Sequence, residues 1–129
     1  MLAKMKRKGV PVEFVKWVKA WLVNRIAQVR VDGELSRKRT FKEGLPQGAV
    51  LSPILFVLFI DDMLGVFEEG SFVSAFADDL AIACSSRKKE EAEEMMQREV
   101  SKVEEWSRKN GLHLNPDKCT TCLFSTDSS

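Results

Sequence analysis

Residues 71–84 read Ser-Phe-Val-Ser-Ala-Phe-Ala-Asp-Asp-Leu-Ala-Ile-Ala-Cys, and no other stretch limits the fold as tightly. Two apolar runs, residues 72–76 and 80–83, flank the acidic pair Asp78 and Asp79. That pattern fits a tight β-hairpin with buried strands and an exposed tip. Adjacent carboxylates repel one another, so a pair enclosed by hydrophobic residues calls for a compensating cation, most simply Mg2+ on oxygen ligands. An Asp-Asp turn is also an ordinary solvated hairpin tip, because turn chemistry favours Asp without any metal. Both readings stand on these residues alone.

The flanking sequence adds two more motifs. Upstream run Gly44, Leu45, Pro46, Gln47, Gly48, Ala49, Val50, Leu51, Ser52 and Pro53; downstream run Gly111, Leu112, His113, Leu114, Asn115, Pro116, Asp117 and Lys118. With Phe76-Ala77-Asp78-Asp79 between them, the chain resembles the palm region of reverse transcriptases, most closely those of non-LTR retrotransposons. The resemblance runs from the N-terminal helix to Phe124, and three motifs in the right order make it specific.

That resemblance implies an RNA-directed DNA polymerase, which extends a DNA primer on an RNA or DNA template with deoxynucleoside triphosphates and two divalent ions, Mg2+ or Mn2+. It implies catalytic and metal-binding roles for Asp78 and Asp79. Gly44, Pro46, Gln47, Gly48 and Phe76 would line the nucleotide and template pocket, and Lys118 would assist the leaving group as an acid; Gly-x-Pro-x-Gly also reads as a rigid turn, and Lys118 equally as an exposed turn lysine beside Pro116 and Asp117. In the family a further aspartate on an upstream strand joins the pair. Residues 1–9 contain no Asp or Glu, and Asp32 falls after the first helix, in a turn. The expectation is therefore a fragment, inactive by itself, that needs fingers and thumb segments or a partner chain. The alternative is a non-catalytic nucleic-acid or protein binding module derived from a palm.

With 129 residues, 44% of them hydrophobic, the chain can bury a core as one domain. The expected organisation is a partial palm over residues 1–125 and a frayed polar tail over 126–129. The longest apolar stretch, residues 49–60, is interrupted by Ser52-Pro53 and is too short for a membrane span. With no secretory signal pattern at the N-terminus either, an intracellular protein without a membrane segment is expected. Charge is uneven. Residues 1–48 carry 12 Lys/Arg against 4 Asp/Glu, a net +8, and residues 49–129 carry 8 against 15, a net −7. A basic half suits a nucleic-acid backbone, and it equally suits a solvated surface. Cys84, Cys119 and Cys122 are read as free thiols, because half a zinc site and a single histidine do not make a whole one.

The remaining elements follow from periodicity. Residues 11–24 form a helix with Val12, Val15, Val18 and Leu22 on one stripe and Phe14, Trp17 and Trp21 beside it, a broad face that implies burial. Residues 27–31 alternate as a strand, Asp32-Gly33 turns it, and the return carries Arg37, Lys38 and Arg39. That basic run either grips a template or primer backbone or blocks an edge strand. Ser52 is placed as N-cap of an apolar central helix over residues 53–67, with Asp61-Asp62 marking its turn into solvent. Residues 87–110 form an amphipathic helix with Ala92, Met96, Val100, Val103 and Trp106 on its apolar stripe and Glu90, Glu91, Glu93, Glu94 and Glu99 on its wet face. Strands over 112–114 and 119–124 complete the reading. The order of elements does not alternate as parallel β/α units do, so the fold class is α+β: an antiparallel sheet with helices mainly on one face, palm-like and incomplete.

Overall fold

A computed structural model describes residues 1–125, so the expected frayed tail lies outside the described residues. The fold is α+β with antiparallel pairing, and that pairing is confined to three two-stranded ribbons. The chain divides into two compact units: residues 1–64 with Ala75–Asp79, and Gly65–Ser74 with the chain from Leu80 onward.

The first unit begins with a helix that composition alone conceals. The basic stretch at the N-terminus forms α1 (Leu2–Arg7), because Leu2 and Met5 pack into a core with Val15 and Val18 of α2 (Val12–Leu22). Met5, Val15, Val18 and Leu55 make the core, the last from α3 (Leu51–Ile60). The cations of α1 are not a free surface. Lys4, only 7% exposed, donates to Phe59 O at 2.7 Å and to Asp62 Oδ1 at 2.6 Å. Arg7 reaches Asp62 at 3.3 Å, and Lys8 pairs with Asp61. Asp61 and Asp62 therefore receive the N-terminal helix, where the sequence placed them as a solvent-facing helix end. They open a 3-10 turn over Asp61–Val66 that replaces the last part of the expected helix.

Two further expectations about helices change. Ser52 is not an N-cap: the helix begins at Leu51 after Val50, and the Ser52 hydroxyl donates back to Pro46 O at 2.5 Å. The apolar faces are also less covered than their periodicity implies. Ile54 and Val57 of α3 and Phe14 of α2 are exposed, and Trp17 is 54% exposed. Phe14, Trp17 and Trp21 lie face to face in a column, with centroids 5.7 and 6.1 Å apart.

Between α2 and α3 runs a ribbon of four short strands: β1 (Arg25–Ala27), β2 (Arg30–Val31), β3 (Glu34–Leu35) and β4 (Arg39–Phe41). Asp32 and Gly33 both have positive φ, at 49° and 88°, the backbone that a two-residue I′ turn requires. The turn thus falls where the Asp-Gly pair placed it.

β5 (Phe72–Phe76) and β6 (Asp79–Ala83) lead into α4 (Lys89–Asn110); Ala75–Asp79 belong to the first unit and the rest of this stretch to the second. The helix ends on Gly111 at φ 67°, where Leu112 N bonds back to Ser107 O, a left-handed cap that only glycine adopts cheaply. Val103 and Trp106 are buried as expected. Glu99 is not on the wet face: it is 3% exposed and accepts from Ser71 Oγ at 3.0 Å and Lys102 Nζ at 3.2 Å. Beyond Gly111 the expected strands over 112–114 and 119–124 are irregular chain, with a short 3-10 turn at Pro116–Lys118.

Candidate metal and nucleotide site

The β5–β6 hairpin turns on two residues, Ala77 and Asp78, with Asp79 opening the return strand. Ala77 has φ 51°, in the left-handed region at the first central position, where a II′-like turn ordinarily takes glycine. Along both strands exposed and half-buried residues alternate. One face is partly covered and the other is open, with Phe76 82% exposed, so the strands are not buried as their composition implied. Asp78 and Asp79 are exposed at the tip. Neither carboxylate has an ion-pair partner among the described residues.

The second motif forms the loop before α3. Gly44 and Gly48 have φ 75° and 79°, so both positions favour glycine by conformation. A Cβ at either would meet nothing within 4 Å. The loop is held from outside: Arg25 donates to Leu22 O at 3.0 Å, Glu43 O at 2.9 Å and Gly44 O at 2.8 Å. Ser52 holds its other side through Pro46 O. Gln47 stands exposed between these two ties, without a side-chain hydrogen bond among the described residues.

Most of the sequence-derived residues belong to one compact unit and one belongs to the other. Gly44, Pro46, Gln47, Gly48, Phe76, Asp78, Asp79 and the run Arg37, Lys38 and Arg39 all fall in the first unit. Lys118 falls in the second, exposed in the turn where Asn115 Oδ1 accepts from Asp117 N. Sequence reasoning missed Arg25, for which no local pattern exists. It also missed the anchor under the hairpin. Ser71, the residue before β5, is bound by Glu99, and Cys84, just after β6, has its sulfur 3.9 Å from the Ser71 hydroxyl. Lys102 joins Glu99 to Glu68, 2.8 Å away. Its hydrogen bond holds the Glu68 carboxyl below its ordinary value and raises the lysine.

Among the described residues no three His, Cys, Asp or Glu side chains converge on a metal position. Asp78 and Asp79 supply adjacent hard oxygen donors with no ion-pair partner among the described residues, enough for one hydrated Mg2+ or Mn2+ and short of a closed cage. Cys119 and Cys122 are exposed free thiols. No helix among the described residues is long and apolar enough to cross a membrane.

An open hairpin with adjacent carboxylates at its turn, a tied glycine-proline loop and an α+β frame are what an incomplete palm-like segment is expected to show. The chain belongs to the reverse transcriptase (RNA-dependent DNA polymerase) family, whose model matches residues 2–128. It is 30% identical over 131 residues to the RNA-directed DNA polymerase from mobile element jockey of Drosophila melanogaster, a match covering 97% of this chain and 14% of that protein. It is 27% identical over 123 residues to the probable RNA-directed DNA polymerase from transposon X-element of the same species, across 92% of this chain and 13% of that protein. It is 35% identical over 82 residues to the retrovirus-related Pol polyprotein from type-1 retrotransposable element R1 2 of Nasonia vitripennis, across 63% of this chain and 20% of that protein. The chain thus spans about a seventh of the length of the first of these relatives.

Proposed function

We propose that this chain supplies the metal-binding hairpin and nucleotide loop of a retrotransposon polymerase that copies an RNA or DNA template from a DNA primer. The observation that carries the reading is the pair Asp78 and Asp79, exposed and unpaired by any cation at a two-residue turn, in the same compact unit as the 44–48 loop. A divalent ion held there supplies charge neutralisation at a transferred phosphoryl group and activates a primer hydroxyl. The chain's own residues do the positioning. Asp78 and Asp79 hold the ion; Gly44, Pro46 and Gly48 shape the loop so that Gln47 reaches the nucleotide or template, and Phe76 offers an apolar face beside the carboxylates. Arg37 and Lys38 meet the sugar–phosphate backbone, and Lys118 donates a proton toward the leaving pyrophosphate.

The test is Mn2+ binding by the purified chain, followed by the paramagnetic signal of free ion. Wild type should bind weakly and saturably. Asp78→Asn and Asp79→Asn should each weaken binding at least ten-fold, because each removes one of two charged ligands. Asp61→Asn, whose carboxylate is taken by Lys8, should bind as wild type. Equal binding by all four proteins removes the assignment.

A further inference from the structure

The two halves of the basic ribbon are not in the same register. Arg25, Ile26 and Ala27 pair with Phe41, Thr40 and Arg39, whereas Arg30 and Val31 pair with Leu35 and Glu34. Val29 O accepts from Ser36 N at 2.9 Å, which continues the second register. Gln28 is therefore the single residue facing two, Arg37 and Lys38, and the ribbon carries a β-bulge at its most basic point. The Gln28 side chain fastens it by donating to Ser36 O at 2.7 Å.

A bulge breaks the alternation of faces. In a flush ladder Arg37 and Arg39 would share one face and Lys38 the other. Here Arg39 lies with its partner Ala27, and Arg37 and Lys38 both lie opposite Gln28, on the other face. Arg30 belongs to that face as well, two residues along the strand from Gln28, or about 6.8 Å. All are exposed. Among the described residues none of Arg30, Arg37, Lys38 or Arg39 has an acidic partner, whereas Lys4, Arg7, Lys8, Lys88, Lys89, Lys102 and Lys109 all do.

From this placement we infer that Arg30, Arg37 and Lys38 form a one-sided grip for the sugar–phosphate backbone of a nucleic-acid strand, with Arg39 outside it. Three unpaired cations on one face of a slender ribbon complement a line of phosphates, and two of them are guanidiniums able to take phosphate oxygens in pairs. Gln28 and Thr40 on the same face add polar groups suited to sugar and phosphate oxygens. The inference deepens the polymerase reading, on which it rests for the partner, and it needs no metal.

The test is fluorescence anisotropy of the chain with a labelled 20-nucleotide RNA, its DNA counterpart and the hybrid duplex, in EDTA, across a salt series. Loss of the metal site leaves this measurement untouched, so failure of the two readings is separable. Each single variant removes one positive charge, so a diffuse electrostatic effect makes them equal. The grip makes them unequal. Arg30→Ala and Lys38→Ala should each weaken binding about three- to ten-fold and shrink the slope of log K against log salt by about 0.7–0.9. Arg39→Ala should change affinity less than two-fold, and Arg30→Lys should keep the slope, with circular dichroism showing each variant folded. Losses for Arg39→Ala equal to those for Arg30→Ala overturn the inference. So does binding to vesicles of anionic lipid with none to the oligonucleotides.

Discussion

Ala77 is the residue at which local energetics and proposed chemistry meet. A left-handed backbone costs an L side chain roughly 1–2 kcal/mol, and this turn accepts that cost beside Asp78. Glycine would remove the cost and return roughly 0.5–1 kcal/mol of it as unfolded-state freedom. Ala77→Gly should therefore raise stability by about 0–1.5 kcal/mol in urea unfolding, and a loss of stability would show that the methyl group has a packing role. At this scale the sequence was legible wherever chemistry is carried by type and order. The Asp pair at the turn, the Asp32-Gly33 reversal and the Gly111 cap all fall where their residues place them. Glu99 was misplaced although a signal existed. Met96, Val103 and Trp106 set a stripe whose next step is position 99, and the charge there drew the assignment to Val100 instead. Lys4 carried no such signal, because its burial depends on Phe59 and Asp62, more than fifty residues away.

Among the elements, α4 shows how a charged helix is fixed to a hairpin. Lys102 bridges buried Glu99 and exposed Glu68, and so ties the helix to the chain entering β5. The Glu68 carboxyl, held below 4.5 first by its hydrogen bond from Lys102, binds fewer protons folded than unfolded as pH falls. Its stabilisation is present above that value and disappears below it. Lys102, raised above 10.5 first by the same bond, keeps its proton longer when folded, so its contribution is lost as pH rises past that value. Glu68→Gln should then lower the urea midpoint over the neutral range and converge with wild type toward about pH 3 and again at strongly alkaline pH. A constant difference at every pH would assign the effect to packing. The strands were less legible than this helix. Residues 119–124 have strand-like composition and no partner among the described residues, and strand propensity without a paired edge does not hold a strand. The column of Phe14, Trp17 and Trp21 was read as core because helical spacing reports that residues share a face, not that anything covers it.

Over the whole molecule, each unit carries a few buried side chains of its own, Met5, Val15, Val18 and Leu55 in the first and Val103 and Trp106 in the second, so each can unfold in its own transition. Their tryptophans make this measurable, since Trp17 and Trp21 belong to the first unit and Trp106 to the second. Trp106→Phe leaves fluorescence reporting the first unit alone, and Trp17→Phe with Trp21→Phe leaves it reporting the second. In each variant the fluorescence midpoint in urea should differ from that of the far-ultraviolet dichroism, which averages the helices of both. The comparison is made within one protein, so any stability the substitution removes affects both signals. Superimposable curves in both variants would show that the two units unfold together.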